Sequence, residues 1–152
     1  MSSTWEQFEE LIKAEMSKVY SEIAIDHAMD PRNAGNMEDA DGFAKVTGPC
    51  GDTMEVWLKV KDDIITEVTF MTDGCGTSIA SGSTVTEMAK EKSIAEARKI
   101  SQQDILSALD GLPEESQHCA LLAANTLKAA IRDYLAMKKE PWKRTYRQSH
   151  PA

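Results

Sequence analysis

The chain has 152 residues, with 25 acidic and 17 basic side chains and a formal net charge of -8. This length suits one domain with one hydrophobic core, and the acidic balance excludes nucleic acid as the main partner, because phosphate binding needs a clustered basic surface. No apolar stretch is long enough to cross a membrane, and the acidic N-terminus lacks the apolar core of a secretion signal. We therefore expect a cytoplasmic protein without membrane contact.

Two helices are predicted before the first strand. The first spans residues 4–17, with Ser3 or Thr4 as its cap, and its apolar side chains recur at helical spacing: Trp5, Phe8, Leu11, Ile12 and Met16. The second is predicted from Val19 to Met29, with Val19, Ile23 and His27 on one stripe, and ends before Pro31. The polar, turn-rich residues 30–42 are expected to form a surface loop.

Three strands are predicted next, at Phe43–Thr47, Met54–Lys61 and Ile64–Thr72. In the middle one apolar and polar side chains alternate, which is the period of a strand buried on one face. Asp62 and Asp63 separate the second strand from the third, which predicts a tight hairpin. The sheet is therefore expected to be antiparallel and covered on one side by helices.

The second half of the chain reads as helix. One helix is predicted from Thr77 to Lys90, and two short helices from Ser93 to Ile100 and from Ser101 to Leu109. Glu96 completes a capping box with the first of these serines, and Asp104 a weaker one with the second. The last helix is expected from Glu114 or Glu115 to Met137. Its apolar face comprises Cys119, Leu122, Ala123, Leu127, Ala130, Ile131 and Tyr134.

Three cysteines lie at the ends of these elements. Cys50 is in GPCGD between two strands, Cys75 is in DGCGTS where a strand gives way to a helix, and Cys119 follows His118 at the start of the last helix. An odd number without a secretion signal argues against a disulfide framework. Their separations match no zinc-finger or ferredoxin spacing, so the spacing leaves inert core cysteines, metal ligation and thiol chemistry all open.

The neighbouring residues favour a metal site. Asp52 is two residues from Cys50, and His118 is adjacent to Cys119. If the element ends converge, three thiolates, a carboxylate and an imidazole meet, a set that suits an iron-sulfur cluster or zinc. Three cysteines with an oxygen or imidazole as fourth ligand fit a site that must release its cargo. Cys75 and Cys119 also lie near helix N-termini, where a thiolate is stabilised.

Four segments carry a resemblance to a known family: YSEIAIDHAMDPRNAG, GPCGD, DGCGTSIASGSTVTE and HCALLAANTLKAAIRDY. The chain resembles the IscU/NifU N-terminal type of iron-sulfur cluster assembly scaffold from about Val19 to Leu135. The resemblance implies an α+β fold, a three-stranded antiparallel sheet packed on one side by helices. We predict this scaffold domain at residues 19–137, with an added helix at 1–18 and a basic tail at 138–152.

The resemblance also implies a function. Such proteins are scaffolds and not turnover enzymes. They receive sulfur from a pyridoxal-phosphate cysteine desulfurase of the IscS/NifS type and iron from an iron donor, assemble a [2Fe-2S] or a [4Fe-4S] cluster, and pass it to apoprotein acceptors. The alternative is a zinc-containing, SufU-like sulfur acceptor for a cysteine desulfurase. A thiol-disulfide oxidoreductase is disfavoured, because the chain has no CxxC pair.

By matching motif, Cys50, Cys75 and Cys119 correspond to the cluster cysteines of the family. Asp52 corresponds to the aspartate associated with cluster lability, and His118 to the histidine beside the last cysteine. Cys119 is the expected persulfide acceptor, and Cys50 and Cys75 can share sulfur during transfer. Whether Asp52 or His118 is the fourth ligand stays open, as does whether a cluster bridges chains in a homo-oligomer.

One departure from the family concerns a chaperone. Where many members read LPPVK before the final helix, this chain reads LPEES, so that Glu114 and Ser116 replace the second proline and the lysine. The resemblance implies that this loop docks a dedicated Hsp70-type chaperone. We therefore expect cluster transfer here without chaperone assistance.

Overall fold

The computed structural model describes residues 4–142, in which two helices precede three strands and a helical second half. The elements in chain order are α1 (Thr4–Met16), α2 (Glu22–Met29), β1 (Gly42–Thr47), β2 (Thr53–Lys61), β3 (Ile64–Thr72), α3 (Gly76–Ala89), α4 (Ile94–Ala97), α5 (Gln102–Ala108), a 3-10 turn (Glu114–Ser116) and α6 (Gln117–Lys139).

The three strands form an antiparallel sheet in the order β1-β2-β3. Met54, Val56 and Leu58 of β2 are fully buried, whereas the residues between them face outward and are only half-buried. The covered face packs on α3 and α6. The predicted α+β fold, with an antiparallel sheet packed on one side by helices, is confirmed.

The β2–β3 hairpin turns on two aspartates. Asp62 and Asp63 have φ angles of 54° and 60°. A two-residue turn with both residues in the left-handed region matches the twist of the flanking strands, and aspartate tolerates that region better than most residues. The tight hairpin expected at this position is confirmed.

Helix α3 approaches the sheet closely through a glycine. A Cβ on Gly82 would lie 2.4 Å from the ring of Phe70, so any larger residue here would push α3 off β3. Helix α6 covers the other part of the same face. Its predicted apolar side is confirmed: Cys119, Leu122, Ala123, Leu127, Ala130 and Ile131 are buried, and Tyr134 is half-buried.

Helix α2 begins later than predicted and presents a different face. The hydroxyl of Ser21 accepts a hydrogen bond from the backbone N–H of Ala24 at 3.0 Å, so the helix starts at Glu22 and not at Val19. The predicted stripe is wrong at Val19 and Ile23, which are exposed. It is right at His27, which is buried with Nδ1 2.7 Å from the Oγ of Ser83.

The strengths of the two predicted capping boxes are reversed. The Asp104 carboxylate accepts from the backbone N–H of Ser101 at 2.9 Å and completes the box. The Glu96 carboxylate instead accepts from the hydroxyl of Ser93, so that box is half formed.

The loop at residues 30–42 pairs with the sheet as well as lying on the surface. The N–H of Phe70 donates to Asn33 O at 3.0 Å, and the N–H of Gly35 donates to Phe70 O at 2.9 Å. These bonds cover the edge of β3, which would otherwise expose unpaired backbone groups.

Both ends of the chain differ in detail from the prediction. Helix α6 continues to Lys139, two residues past its predicted end, and residues 143–152 of the predicted basic tail lie outside the described residues. Helix α1 forms as predicted but ends at Met16, one residue before its predicted end, and it has no buried residue. Within residues 4–142 no helix is both long and apolar enough to span a membrane.

Candidate metal and thiol site

The predicted site residues lie at one end of the sheet, where the β1–β2 turn, the start of α3 and the start of α6 meet. Asp52, His118 and Cys119 each offer a ligand atom, and these atoms lie within 4.8 Å of one another. Within the described part of the chain, Cys50 and Cys75 are not members of this group. A carboxylate, an imidazole and a thiol in such proximity are a donor set suited to zinc or to iron of a cluster.

Cys119 is the buried thiol of the site, with 1% of its surface exposed. The hydroxyls of Ser78 and Thr77 lie 3.4 Å and 3.3 Å from its Sγ, and His118 Nε2 lies 3.7 Å away. Burial raises the pKa of the Cys119 thiol above its ordinary value, despite these hydrogen bonds. For Cys119, burial therefore opposes the thiolate stabilisation that its place at a helix N-terminus predicts.

Cys75 is an exposed thiol and the N-cap residue of α3. The Thr77 hydroxyl, 3.0 Å from Cys75 Sγ, is the main cause that lowers the pKa of the Cys75 thiol, and the backbone N–H groups of Thr77 and Ser78 add to it. For Cys75 the hydroxyl and the N–H groups of this helix start act in the direction that the sequence predicts, toward the thiolate. Thr77 Oγ1 also lies 3.3 Å from Cys119 Sγ, so this one hydroxyl bridges the sulfurs of Cys75 and Cys119.

Asp52 lies beside Cys119, with a carboxylate oxygen within 4.8 Å of its Sγ. Its Oδ2 accepts a hydrogen bond from the Ser78 hydroxyl at 3.2 Å, and its backbone carbonyl accepts from the N–H of Gly48 at 2.8 Å. The side chains of Asp52 and Ser78 meet next to Gly74. A Cβ at position 74 would lie 2.5 Å from Ser78 Oγ and 2.9 Å from Asp52 Oδ2. Only glycine leaves room at position 74 for this contact.

Cys50 occupies the exposed tip of the β1–β2 turn, two residues before Asp52. Among residues 4–142 no hydrogen bond connects its Sγ to the other four site residues. The structure thus brings together Asp52, Cys75, His118 and Cys119 and leaves Cys50 at the rim.

Sequence reasoning missed the hydroxyl groups. Thr77 and Ser78 contact every ligand candidate except Cys50 and His118. Their signal is present in DGCGTS, where two hydroxyl residues follow a cysteine at a helix start and so occupy the first turn, next to that cysteine. Hydroxyl residues there are ordinary capping candidates, which is why they attracted no functional interpretation.

An apolar groove of about 170 Å³ opens beside Cys75. It is lined by the end of α1, the link to α2, α2 itself and the start of α3: Met16, Tyr20, Ala24, Ile25, Ala28, Cys75, Gly76, Thr77 and Ala80. Cys75 is therefore reachable from solvent at this groove, whereas Cys119 is buried and is not among its lining residues.

Known proteins are similar to this chain in sequence and in fold. The family model described as NifU-like N terminal domain matches residues 19–141. The chain is 49% identical over 117 residues to the iron-sulfur cluster assembly scaffold protein IscU 1 of Archaeoglobus fulgidus, covering 76% of each chain. It is 45% identical over 125 residues to the IscU scaffold protein of Escherichia coli K12, covering 79% of this chain and 97% of that one.

Solved structures agree on the fold. The N-terminal part of a NifU-like protein from Brucella abortus superposes with a TM-score of 0.62 at 20% identity, over 80% of this chain and 97% of that one. A SufU protein from Fervidobacterium islandicum superposes with a TM-score of 0.65 at 23% identity, over 75% of this chain and 97% of that one.

Proposed function

The chain belongs to the family of NifU-like N-terminal domains, and from that premise we propose that it is a scaffold that assembles a [2Fe-2S] cluster and passes it to apoproteins. The observation that carries the proposal is the convergence of Asp52, His118 and Cys119 within 4.8 Å, with Cys75 joined to Cys119 through Thr77. The family is one of scaffolds and not a known enzyme family, so the cluster is cargo and no turnover chemistry is proposed.

We assign the cluster ligands from this arrangement. The thiolates of Cys50, Cys75 and Cys119 would bind the two irons, with Asp52 or His118 as the fourth ligand. Soft thiolates suit cluster iron, whereas a carboxylate is a harder and more exchangeable partner. The Ser78 hydrogen bond to Asp52 supports the carboxylate as that ligand, because it directs the carboxylate to the Cys119 side. Such a mixed set fits a cargo that has to leave.

We further propose how sulfur enters the site. The donor is a cysteine desulfurase that carries a persulfide, and Cys119 is the residue on which the sulfur is held. A thiolate attacks the outer sulfur of the donor persulfide, forms a new S–S bond, and releases the donor cysteine as thiolate. Cys75 is exposed beside the apolar groove, so it can meet the donor first and hand the outer sulfur to Cys119 by the same exchange.

The remaining partners follow from the same proposal. An iron donor supplies iron, and apoproteins whose own cysteines displace the scaffold ligands take the cluster. The groove beside Cys75 offers an apolar contact next to the site for either kind of partner. A reducing compartment such as the cytoplasm keeps the three thiols free.

Anaerobic reconstitution tests the proposal. The purified chain is incubated with ferrous iron, cysteine, a pyridoxal-phosphate cysteine desulfurase and excess dithiothreitol, and the visible absorption spectrum is recorded. The dithiol supplies the electrons that, together with those of ferrous iron, reduce persulfide sulfur to sulfide. We expect the bands of a [2Fe-2S] cluster, their loss in Cys119→Ser, and their transfer to an apo-ferredoxin. A spectrum no different from that of a mixture without the chain would contradict the proposal.

A zinc-containing sulfur acceptor is the second candidate, favoured by one observation. Asp52, His118 and Cys119 already form a compact trio, and Cys75 can supply a fourth, tetrahedral zinc ligand. In the same experiment this candidate predicts a colourless protein that retains one zinc per chain. It also predicts that sulfur release by the desulfurase accelerates when the chain is added without iron.

A further inference from the structure

We propose that Ser78 is a positioning residue for the cargo site: its hydroxyl holds the Asp52 carboxylate on the Cys119 side and thereby sets how long a bound cluster stays on the protein. The inference rests on the proposed function, because it concerns the lifetime of the cargo. It adds a role for a residue that offers no metal ligand itself.

The Ser78 hydroxyl contacts both Asp52 and Cys119. Its side chain is fully buried in the first turn of α3, with Oγ 3.2 Å from Asp52 Oδ2 and 3.4 Å from Cys119 Sγ. A serine hydroxyl has one proton and donates it to one acceptor at a time. A carboxylate oxygen is a stronger acceptor than a sulfur, so this proton serves mainly Asp52.

Ser78 is held more rigidly than Asp52. Ser78 belongs to α3, which packs on both β3 and α6, and its backbone is held by the helix. Asp52 is a half-buried residue of a turn with an exposed tip, and among residues 4–142 its side chain accepts a hydrogen bond from Ser78 alone. Gly74 leaves the space in which the two side chains meet. The helix therefore fixes Ser78, and Ser78 fixes the carboxylate.

The Ser78–Asp52 hydrogen bond affects cluster release through the position of the carboxylate. A carboxylate held beside Cys119 occupies an iron position that an acceptor thiolate can take over, because oxygen is the weaker ligand for cluster iron. Without the hydrogen bond the half-buried carboxylate can turn toward water. The site should then behave in part as if Asp52 were absent. If loss of Asp52 slows cluster release, loss of the Ser78 hydroxyl slows it as well, and by less.

A double-mutant cycle tests the inference. The half-life of the reconstituted cluster in the presence of apo-ferredoxin is measured for wild type, Ser78→Ala, Asp52→Ala and the double variant. We expect Ser78→Ala to lengthen the half-life by about two- to tenfold, the factor that corresponds to one ordinary hydrogen bond. In the Asp52→Ala background the same substitution should change the half-life little, because its target is gone.

A matched control separates positioning from a structural effect. Ser81→Ala removes another buried serine hydroxyl of α3, which donates to the backbone carbonyl of Thr77 and does not contact Asp52. We expect its half-life to equal that of wild type, and circular dichroism with thermal melting to show that all variants are folded. Alanine favours helix, so Ser78→Ala should fold.

Each outcome decides a separate question. A half-life of Ser78→Ala equal to that of wild type, or an equal change in both Asp52 backgrounds, overturns the positioning role while the scaffold function stands. If the wild-type chain forms no cluster, the proposed function falls and this inference falls with it.

Discussion

Asp52, in the turn between β1 and β2, places a carboxylate oxygen within 4.8 Å of the sulfur of Cys119 at the start of α6. The two residues are far apart in sequence and belong to different layers of the fold. A carboxylate beside a buried thiol offers iron a hard, exchangeable ligand next to a soft one, which suits the temporary cluster site proposed above. The first prediction below depends on this relationship.

Removal of the Asp52 carboxylate is expected to slow cluster loss. Asp52→Ala takes away the hard ligand through which an incoming acceptor thiolate can enter. The cluster half-life in the presence of apo-ferredoxin should increase by about tenfold, corresponding to about 1.4 kcal/mol. Asp52→Asn keeps the shape and removes the charge, and we expect it to fall between wild type and Asp52→Ala. An unchanged transfer rate in Asp52→Ala would contradict the assignment.

The two thiols that Thr77 connects should differ in reactivity. In the metal-free protein Cys75 is exposed and the pKa of its thiol is lowered by the Thr77 hydroxyl, whereas burial raises the pKa of the Cys119 thiol. Because the thiolate is the nucleophile, Cys75 should be alkylated by iodoacetamide well before Cys119 at neutral pH. Peptide mass spectrometry over time gives the order.

Thr77→Val is the matched variant for that experiment, since it keeps the side-chain shape and removes the hydroxyl. The pKa of Cys75 should rise, and its alkylation should need a higher pH. Faster alkylation of Cys119 than of Cys75 in the wild type would show that the site is more open in solution than in the structure.

His27 should make the protein less stable in mild acid. Burial is the main cause that lowers the pKa of its imidazole, and Arg32 adds to it, against Glu87 and Asp26. A lowered pKa in the folded state means that unfolding takes up a proton below about pH 6.5, so the stability contribution is complete above that pH and is lost as the pH falls through the folded pKa.

Urea unfolding at pH 7.5 and pH 5.5 measures this effect. The free energy of unfolding of wild type should decrease between the two pH values, and His27→Gln should show a smaller decrease, because it removes this titrating group. An equal decrease in the free energy of unfolding for the two proteins would show that other groups cause the pH dependence.

Gly82 should be intolerant of any side chain. Gly82→Ala places a Cβ 2.4 Å from the Phe70 ring, and overpacking of this kind costs about 1–3 kcal/mol of unfolding free energy. Gly48→Ala is the control, because its Cβ would meet Leu122 at an ordinary 3.5 Å. Urea titration should show a loss for the first variant and little change for the second. Equal stabilities would mean that α3 can shift away from β3 at low cost.

The loop before α6 predicts independence from a chaperone. Glu114 and Glu115 form an exposed, acidic 3-10 turn at the place where the family resemblance implies the PV of LPPVK. Adding an Hsp70-type chaperone with its co-chaperone and ATP should leave the rate of cluster transfer unchanged. The variant Glu114→Pro, Glu115→Val, Ser116→Lys restores the motif and should gain acceleration. Acceleration of wild type would show that other residues dock the chaperone.

Local sequence signals were sufficient for the strands and most of the helices. The alternation through Met54, Val56 and Leu58 and the aspartate pair at 62 and 63 each act over a few residues, so they could be read directly. The face of α2 could not, because Ser21 sets the helix start and Ser83 of a distant helix provides the partner that buries His27.

The site shows the same division. Neighbouring residues in the motifs predicted the convergence of Cys50, Asp52, Cys75, His118 and Cys119. The structure places ligand atoms of Asp52, His118 and Cys119 within 4.8 Å of one another and links Cys75 to Cys119 through Thr77, but it leaves Cys50 at the exposed rim. The hydroxyl contacts of Thr77 and Ser78, and the opposite pKa shifts of Cys75 and Cys119, depend on burial and on side chains meeting across three elements. No short sequence pattern contains that information.

The most direct test of the scaffold assignment is a Mössbauer spectrum of the chain reconstituted anaerobically with isotopically enriched iron and a desulfurase. We expect the diamagnetic quadrupole doublets of a [2Fe-2S] cluster, with equal amounts of iron and acid-labile sulfide, and two distinguishable irons because one carries a non-thiolate ligand. Signals of high-spin ferrous iron alone, without labile sulfide, would contradict it.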